Sequence, residues 1–384
     1  MVGWLQNLLP DLRDVLVRFS IAVLAALLTC LYLVNISSDM FSGGSVYLLT
    51  GSAAFLAAGA GHLLAEGRGT SRGVNIAIAL VFAAAAGALE YDYDVFHTSA
   101  LFLFAALVLG LMVAPFLRHG VEQGAVWLFS LRLGMAALLA LIVGLVFAGG
   151  ISAIMAGLDF LLGFHIDNQI YQKVWTIAVT FVGPVYGLSL VPRDLDAVIN
   201  IEAHRGDLLE RGVSVLVNYV MVPLAVIYAL ILHAYAAKTA FLGSLPKGEI
   251  GLIVSLFAVG GTATWLIGWP WREKGTALLK LFMRGWFWLL PIPVLLLLMA
   301  IWRRLSDYGV TPDRYGIALV AVWAVLVFGY LVWWRNRADL RAIIASAAAL
   351  FLFASFGPQG ANGLTASSQF GRLQALLERL GVLK

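Results

Sequence analysis

Arg303, Arg304 and Arg314 stand with Asp307, Asp313, Tyr308 and Tyr315 inside one short stretch, RRLSDYGVTPDRYGI, residues 303–317. A guanidinium donates paired, coplanar hydrogen bonds to phosphate or carboxylate, so a cluster of them is a candidate anion site. Part of the stretch has a simpler use. Thr311-Pro312-Asp313 is a helix start, with a hydroxyl to cap free N–H groups, a proline suited to the first helical position and a carboxylate near the positive helix end. Gly309 suits the left-handed conformation that ends a preceding helix. Two readings follow. The arginines and tyrosines anchor a tight turn at a membrane surface, with Asp307 and Asp313 as ionic partners, or they hold a phosphorylated headgroup.

A second polar stripe runs through NYVMVPLAVIYALILHAYAAK, residues 218–238. Tyr228 and Tyr235 are two helical turns apart and Lys238 follows one turn on, which places all three on one helix face. They either face a bundle interior or water cavity, or anchor and snorkel at the interface. Arg132 is an isolated charge within an apolar run, a functional suspect unless its long stem reaches back to water. His97 lies near Glu90, Asp92 and Asp94, and His165 near Asp167, but none of the six histidines makes an HExxH or a helically spaced pair. No metal site and no cofactor is therefore expected. No GxSxG, phosphate-binding loop or dinucleotide fingerprint occurs, and no catalytic residue stands out.

Apolar runs position these residues. The chain has 384 residues, is 61% hydrophobic and 12% charged, and has mean hydropathy +0.92. Soluble domains carry about 25% charged residues, so an ordinary soluble enzyme is excluded. The runs are Leu-, Ala- and Val-rich without alternation, which argues against a β-barrel. Each is long enough to cross about 30 Å of hydrocarbon as a helix. The fold class is all-α: a polytopic integral membrane protein of about eleven transmembrane helices. The spans are read at 18–36, 44–65, 73–89, 98–117, 124–149, 172–191, 213–235, 249–269, 281–301, 315–334 and 342–356. Residues 151–170 read as interfacial or partly re-entrant. Residues 1–17 form an amphipathic interfacial segment, 18–356 the transmembrane domain and 357–384 a polar, then amphipathic tail. The first span lacks a small-residue cleavage site and reads as retained.

Lys and Arg favour one side of the early loops, and neither short loop on the other side before residue 124 holds any. This predicts N-in, C-out. The outward loops that later carry arginine, 303–317 among them, break that trend and point back to the candidate site. The single cysteine, Cys30, allows no internal disulfide and no thiolate metal site. The net charge of +4 is modest and points to no nucleic-acid partner.

VPLAVIYALILHAYAAK, SLPKGEIG, RLSDYGVTPDRY and SSQFGRLQALL, taken together, resemble a bacterial family of multi-pass inner-membrane proteins, the domain-of-unknown-function 4153 (DUF4153) family. The resemblance covers about residues 18–380, and YGVTPDRY is its most specific part. It implies a multi-pass location in the bacterial inner, cytoplasmic membrane, and no chemistry. Members of the family often continue past the position of Lys384 into a water-soluble segment, so either a short member or one missing a domain fits the resemblance.

The functional expectation is binding or transport of an anionic lipid or envelope precursor. The outward-facing site would be lined by Tyr228, Tyr235, Lys238, Arg304, Tyr308, Arg314 and Tyr315. One alternative is a membrane-embedded transferase or hydrolase acting on a lipid-linked substrate, with Asp307, Asp313, Asp92 and His97 as candidate bases. The other is an accessory subunit whose tail, 369–383, docks a protein partner. Membrane lipids are expected partners in every case, and a homo-oligomer is left open.

Overall fold

The computed structural model describes residues 13–36, 45–91, 98–198, 208–242, 250–334 and 338–382. All regular elements among them are helical. Most of the amphipathic segment 1–17, Asp92, Asp94 and His97, residues 199–207, and most of SLPKGEIG lie outside the described residues. Eight helices are long and apolar enough to cross a membrane among the described residues. The chain divides into two compact units, Met1–Ala197 and Val198–Lys384.

The first unit holds α1 (Ser20–Ile36), α2 (Ser45–Gly67), α3 (Arg72–Tyr91), α4 (Thr98–Val113), α5 (Gln123–Leu162), α6 (Asn168–Ile177) and α7 (Gly183–Ser189). Helical turns at 13–18 precede α1. Small residues set the helix spacing. A Cβ on Gly67 would fall 2.0 Å from the Pro115 carbonyl oxygen, and one on Gly61 would fall 3.1 Å from that of Ile78. Gly183 and Gly187 of α7 meet Ala136 and Ala140 of α5 in the same way, with a Gly183 Cβ 3.2 Å from the Ala140 oxygen. Such close backbone approach is how apolar helices bind one another in lipid.

One expectation about this unit is corrected. Residues 151–162 are not a separate interfacial segment, because α5 runs unbroken for 40 residues. Gly149 and Gly150 are tolerated within it, since neither removes a backbone donor, and the helix stops only at Gly163, φ 70°. At 1.5 Å per residue it is about 60 Å long, twice the hydrocarbon thickness. Asp167 then caps α6 by accepting from the Gln169 N–H at 3.1 Å.

The second unit holds α8 (Leu208–Leu216), α9 (Val222–Leu242), α10 (Ile250–Gly268), α11 (Ala277–Leu289), α12 (Pro291–Tyr308), α13 (Pro312–Trp333), α14 (Leu340–Ala354) and α15 (Ala361–Arg379). Its core is locked by indoles. The Trp286 N–H donates to Thr262 Oγ1 at 3.3 Å and the Trp265 N–H to the Met283 carbonyl at 3.1 Å, which ties α10 to α11.

One device occurs in both units. A π-helical turn, Ala178–Val182, joins α6 to α7 just before Pro184. Another, Val217–Met221, joins α8 to α9 just before Pro223. Proline lacks a donor and crowds the carbonyl four residues back. A widened turn relieves that crowding. In the second unit the widened turn also places buried Asn218, whose Oδ1 accepts from the Thr276 N–H at 2.9 Å. Thr276 in turn caps α11 through Leu279 N–H.

Three expected spans fall short of the eight. Span 18–36 is α1, 17 residues. Span 172–191 is the π-interrupted α6–α7. Span 342–356 is α14, 15 residues.

Candidate functional site

The turn between α12 and α13 is closed by hydrogen bonds from both sides. Gly309 ends α12 at φ 73°, and its N–H reaches the Leu305 carbonyl at 2.9 Å. That leaves the last carbonyls of α12 without helical partners. Arg314 bends back to donate to the carbonyls of Gly309 at 3.0 Å and Tyr308 at 3.3 Å, with its guanidinium 5.3 Å from the Tyr308 ring centre. From the tail helix α15, Arg372 donates to the carbonyls of Asp307, at 2.8 Å, and Ser306. Gln369 donates to the Val310 carbonyl at 2.8 Å, and the Val310 N–H donates to Ser368 Oγ at 3.0 Å. Tyr315 donates its hydroxyl proton to the Gln359 carbonyl at 3.0 Å, fixing the approach to α15. The sequence elements YGVTPDRY and SSQFGR thus meet as one clasp.

The helix start differs from expectation in one respect. Thr311 caps α13 in position but makes no side-chain cap bond, and its carbonyl accepts from the Tyr315 N–H at 2.9 Å. Pro312 at the first turn and Asp313 beside it carry that helix end. Arg303 pairs with Asp307 at 3.7 Å on an exposed face, while Arg304 is half-buried. Of the three arginines, Arg314 is therefore turned inward to main chain and Arg303 has a carboxylate beside it. Tyr228 stands elsewhere in the unit, stacked on Phe257 with ring centres 6.1 Å apart, and Phe257 meets Trp286 edge-on. Tyr235 and Lys238 lie on the same helix, α9, with Lys238 exposed. The structure gathers Tyr308, Arg314 and Tyr315 around the turn, and places Tyr228 in an aromatic stack.

The first unit holds two further features that sequence reasoning missed. Arg18 donates to both Glu66 oxygens, Nη2 to Oε2 at 3.0 Å and Nε to Oε1 at 3.1 Å. It also donates to the carbonyls of Pro192, at 2.8 Å, and Val191, at 3.0 Å. His62, one turn before Glu66, approaches it at 3.8 Å. Arg118 continues the network to the Gly67 carbonyl, at 3.0 Å, and to Asp196. The His62–Glu66 spacing at the end of an apolar run was the available signal.

Beside this network lies a cavity of about 350 Å³. Phe55, Gly59 and Leu63 of α2, Leu111 of α4, Gly134, Ala137 and Gly144 of α5, and Trp175, Gly183 and Pro184 line it. Its walls are apolar, and small residues on α5 and α7 leave the space. Arg132 lies in α5, half-buried, next to the lining residues Leu133 and Gly134. Among the described residues no group of three or more His, Cys, Asp or Glu could hold a metal ion.

Fold and site define a polytopic, all-helical membrane protein. The family profile described as "Domain of unknown function (DUF4153)" matches residues 17–375, and the chain belongs to that family. An uncharacterised protein of Pasteurella multocida (strain Pm70) is similar to it, 23% identical over 388 residues; the match covers 99% of this chain and 62% of the relative's length. No solved structure matches the chain.

Proposed function

We propose that the chain binds and carries a membrane amphiphile, an anionic lipid or lipid-linked envelope precursor, in a bacterial inner membrane. The observation that carries this reading is the cavity of the first unit. Its volume of about 350 Å³ falls within the roughly 300–1,000 Å³ of small-molecule sites. An apolar wall offers water too few partners to hold it, and a charged ligand would lose hydration without compensation. Hydrocarbon is the occupant such a wall accepts. The lining side chains hold no acid or base, which favours holding and moving a lipid over a transferase or hydrolase acting on it. The second unit offers a separate surface for anionic headgroups, where Arg304 and Arg303 would supply charge at the turn, with Arg314, Tyr308 and Tyr315 shaping it. Tyr235 and Lys238, further along α9, would extend that surface, while Tyr228 stands in its stack on Phe257. Helical spans support the inner membrane, since the outer membrane is the home of β-barrels, and the early Lys and Arg asymmetry supports an inward N-terminus.

The test is native mass spectrometry of gently purified protein, wild type beside a Gly134→Leu, Ala137→Leu variant. A Cβ at Gly134 meets nothing within 4 Å, and Gly134 and Ala137 both line the cavity, so the added leucine side chains are directed at its space. A lipid retained by wild type and lost from the variant supports the reading. Equal retention by both, or none by either, overturns it.

A further inference from the structure

The tail helix α15 presents three distinct faces. At about 100° per residue, Ala361, Thr365, Ser368 and Arg372 fall in one sector, and this sector is seated on the α12–α13 turn, with Gln369, at the near edge of the apolar sector, adding a bond to Val310. A second sector is polar: Ser367, Gly371, Gln374 and Glu378. The third is apolar: Phe370, Leu373, Leu376, Leu377 and Leu380, all exposed except half-buried Leu377. A helix packed on its own protein needs one apolar face. This one packs through polar bonds and leaves its apolar face uncovered.

The seat fixes where that face lies. The turn joins two helices long and apolar enough to cross a membrane, 277–308 and 312–333. It therefore sits at a membrane surface. Trp302, exposed and one helical turn before Ser306, marks the same level, because indoles collect at the headgroup layer. A helix bolted there by Ser368 and Arg372, with one apolar and one polar sector flanking the seat, has lipid on one side and water on the other only if its axis lies along the interface. We propose that α15 is an interfacial helix whose face of Phe370, Leu373, Leu376 and Leu380 is buried in the lipid surface, pinning the α12–α13 turn at headgroup depth. The proposal stands on the second unit alone and is independent of what the cavity holds.

The experiment places one nitroxide label at a time on the full chain reconstituted in phosphatidylcholine–phosphatidylglycerol vesicles. The labelled sites are Leu373→Cys, Leu380→Cys, Gln374→Cys and Glu378→Cys, in a Cys30→Ser background. Collision with oxygen, which concentrates in lipid, is compared with collision with a water-soluble nickel chelate. The expected result is an oxygen-to-nickel ratio several-fold higher at 373 and 380 than at 374 and 378. Equal ratios at all four sites would place the apolar face in water and overturn the proposal. Shielding of 373 and 380 from both reagents would mean that protein, such as a second copy, covers the face, and would overturn it too. If Cys30→Ser does not fold, the native Cys30, which is buried, is kept. Leu380 gives the same reading as Leu373 should either variant fail.

Discussion

Arg372 closes over Gly309: a Cβ on Gly309 would lie 2.7 Å from Arg372 Nε and 2.9 Å from Ser368 Oγ. Gly309 also has φ 73° with ψ −177°, a region essentially only glycine occupies and one that costs an L side chain about 1–3 kcal/mol. Gly309→Ala therefore meets two penalties, backbone strain and displacement of the α15 side chains that cap the turn. The variant should unfold at lower temperature in detergent, and α15 should be clipped faster by protease at the 355–360 connection. Wild-type values for both would mean that the contact between tail and turn contributes nothing.

Arg372 itself can be tested by exchange. Its two hydrogen bonds reach carbonyls at the end of α12, where a positive charge also complements the helix dipole. The site is exposed, so Arg372→Ala should cost only about 1 kcal/mol or a little more. The sharper readout is hydrogen exchange at Val310, whose N–H is held by Ser368. It should exchange faster in Arg372→Ala than in wild type. Arg372→Lys, which keeps the charge but loses the fork, should fall between them. Unchanged protection in Arg372→Ala would show that Ser368 and Gln369 hold the clasp without it.

Much of this architecture was legible in the sequence, and the reasons differ by residue. Apolar runs of the right length announce spans such as 312–333, because the bilayer imposes one length on all of them. Gly309 before Thr311-Pro312-Asp313 announced a helix end and a helix start. Arg372 carried no such signal. It binds main-chain carbonyls, which every residue has, so nothing at positions 306 and 307 marks them as its partners. Arg18 and Glu66 are separated by 48 positions and pair only after α2 has brought its end back beside the start of α1. The extent of α5 was missed for the opposite reason: Gly149-Gly150 looks like punctuation, yet glycine interrupts a helix only where another interaction rewards the break.

The Arg18–Glu66 pair should be strongly coupled. The side chains are 16% and 27% exposed, so each keeps some water. Breaking a fully buried pair costs roughly 3–5 kcal/mol because one charge is stranded, and partial exposure places this pair below that range. Glu66→Ala and Arg18→Ala should each lower the unfolding temperature, the former by leaving Arg18 with only the Val191 and Pro192 carbonyls. The double variant should be less destabilised than the sum of the singles. A double-mutant cycle by thermal unfolding checks this, and additive effects would show that the pair is not energetically coupled.

Gly261 and Trp286 offer the strictest packing test. A Cβ on Gly261 would fall 1.8 Å from Trp286 Cη2, inside the indole's own volume. The ring has no free direction of retreat. It is fully buried, meets Phe257 and Phe282 with ring centres 5.1 and 5.2 Å away, and is tethered to Thr262 through its N–H. One added methyl group must therefore move the indole off its tether or push α10 from α11. Overpacking of this kind costs about 1–3 kcal/mol, and more where the neighbours cannot yield. Gly261→Ala should lower the unfolding temperature and change the near-ultraviolet circular dichroism. Adding Trp286→Leu should recover part of the loss relative to Trp286→Leu alone, since the smaller side chain leaves room for the methyl. If Gly261→Ala is as destabilising in the Trp286→Leu background as in wild type, the clash is not the cause.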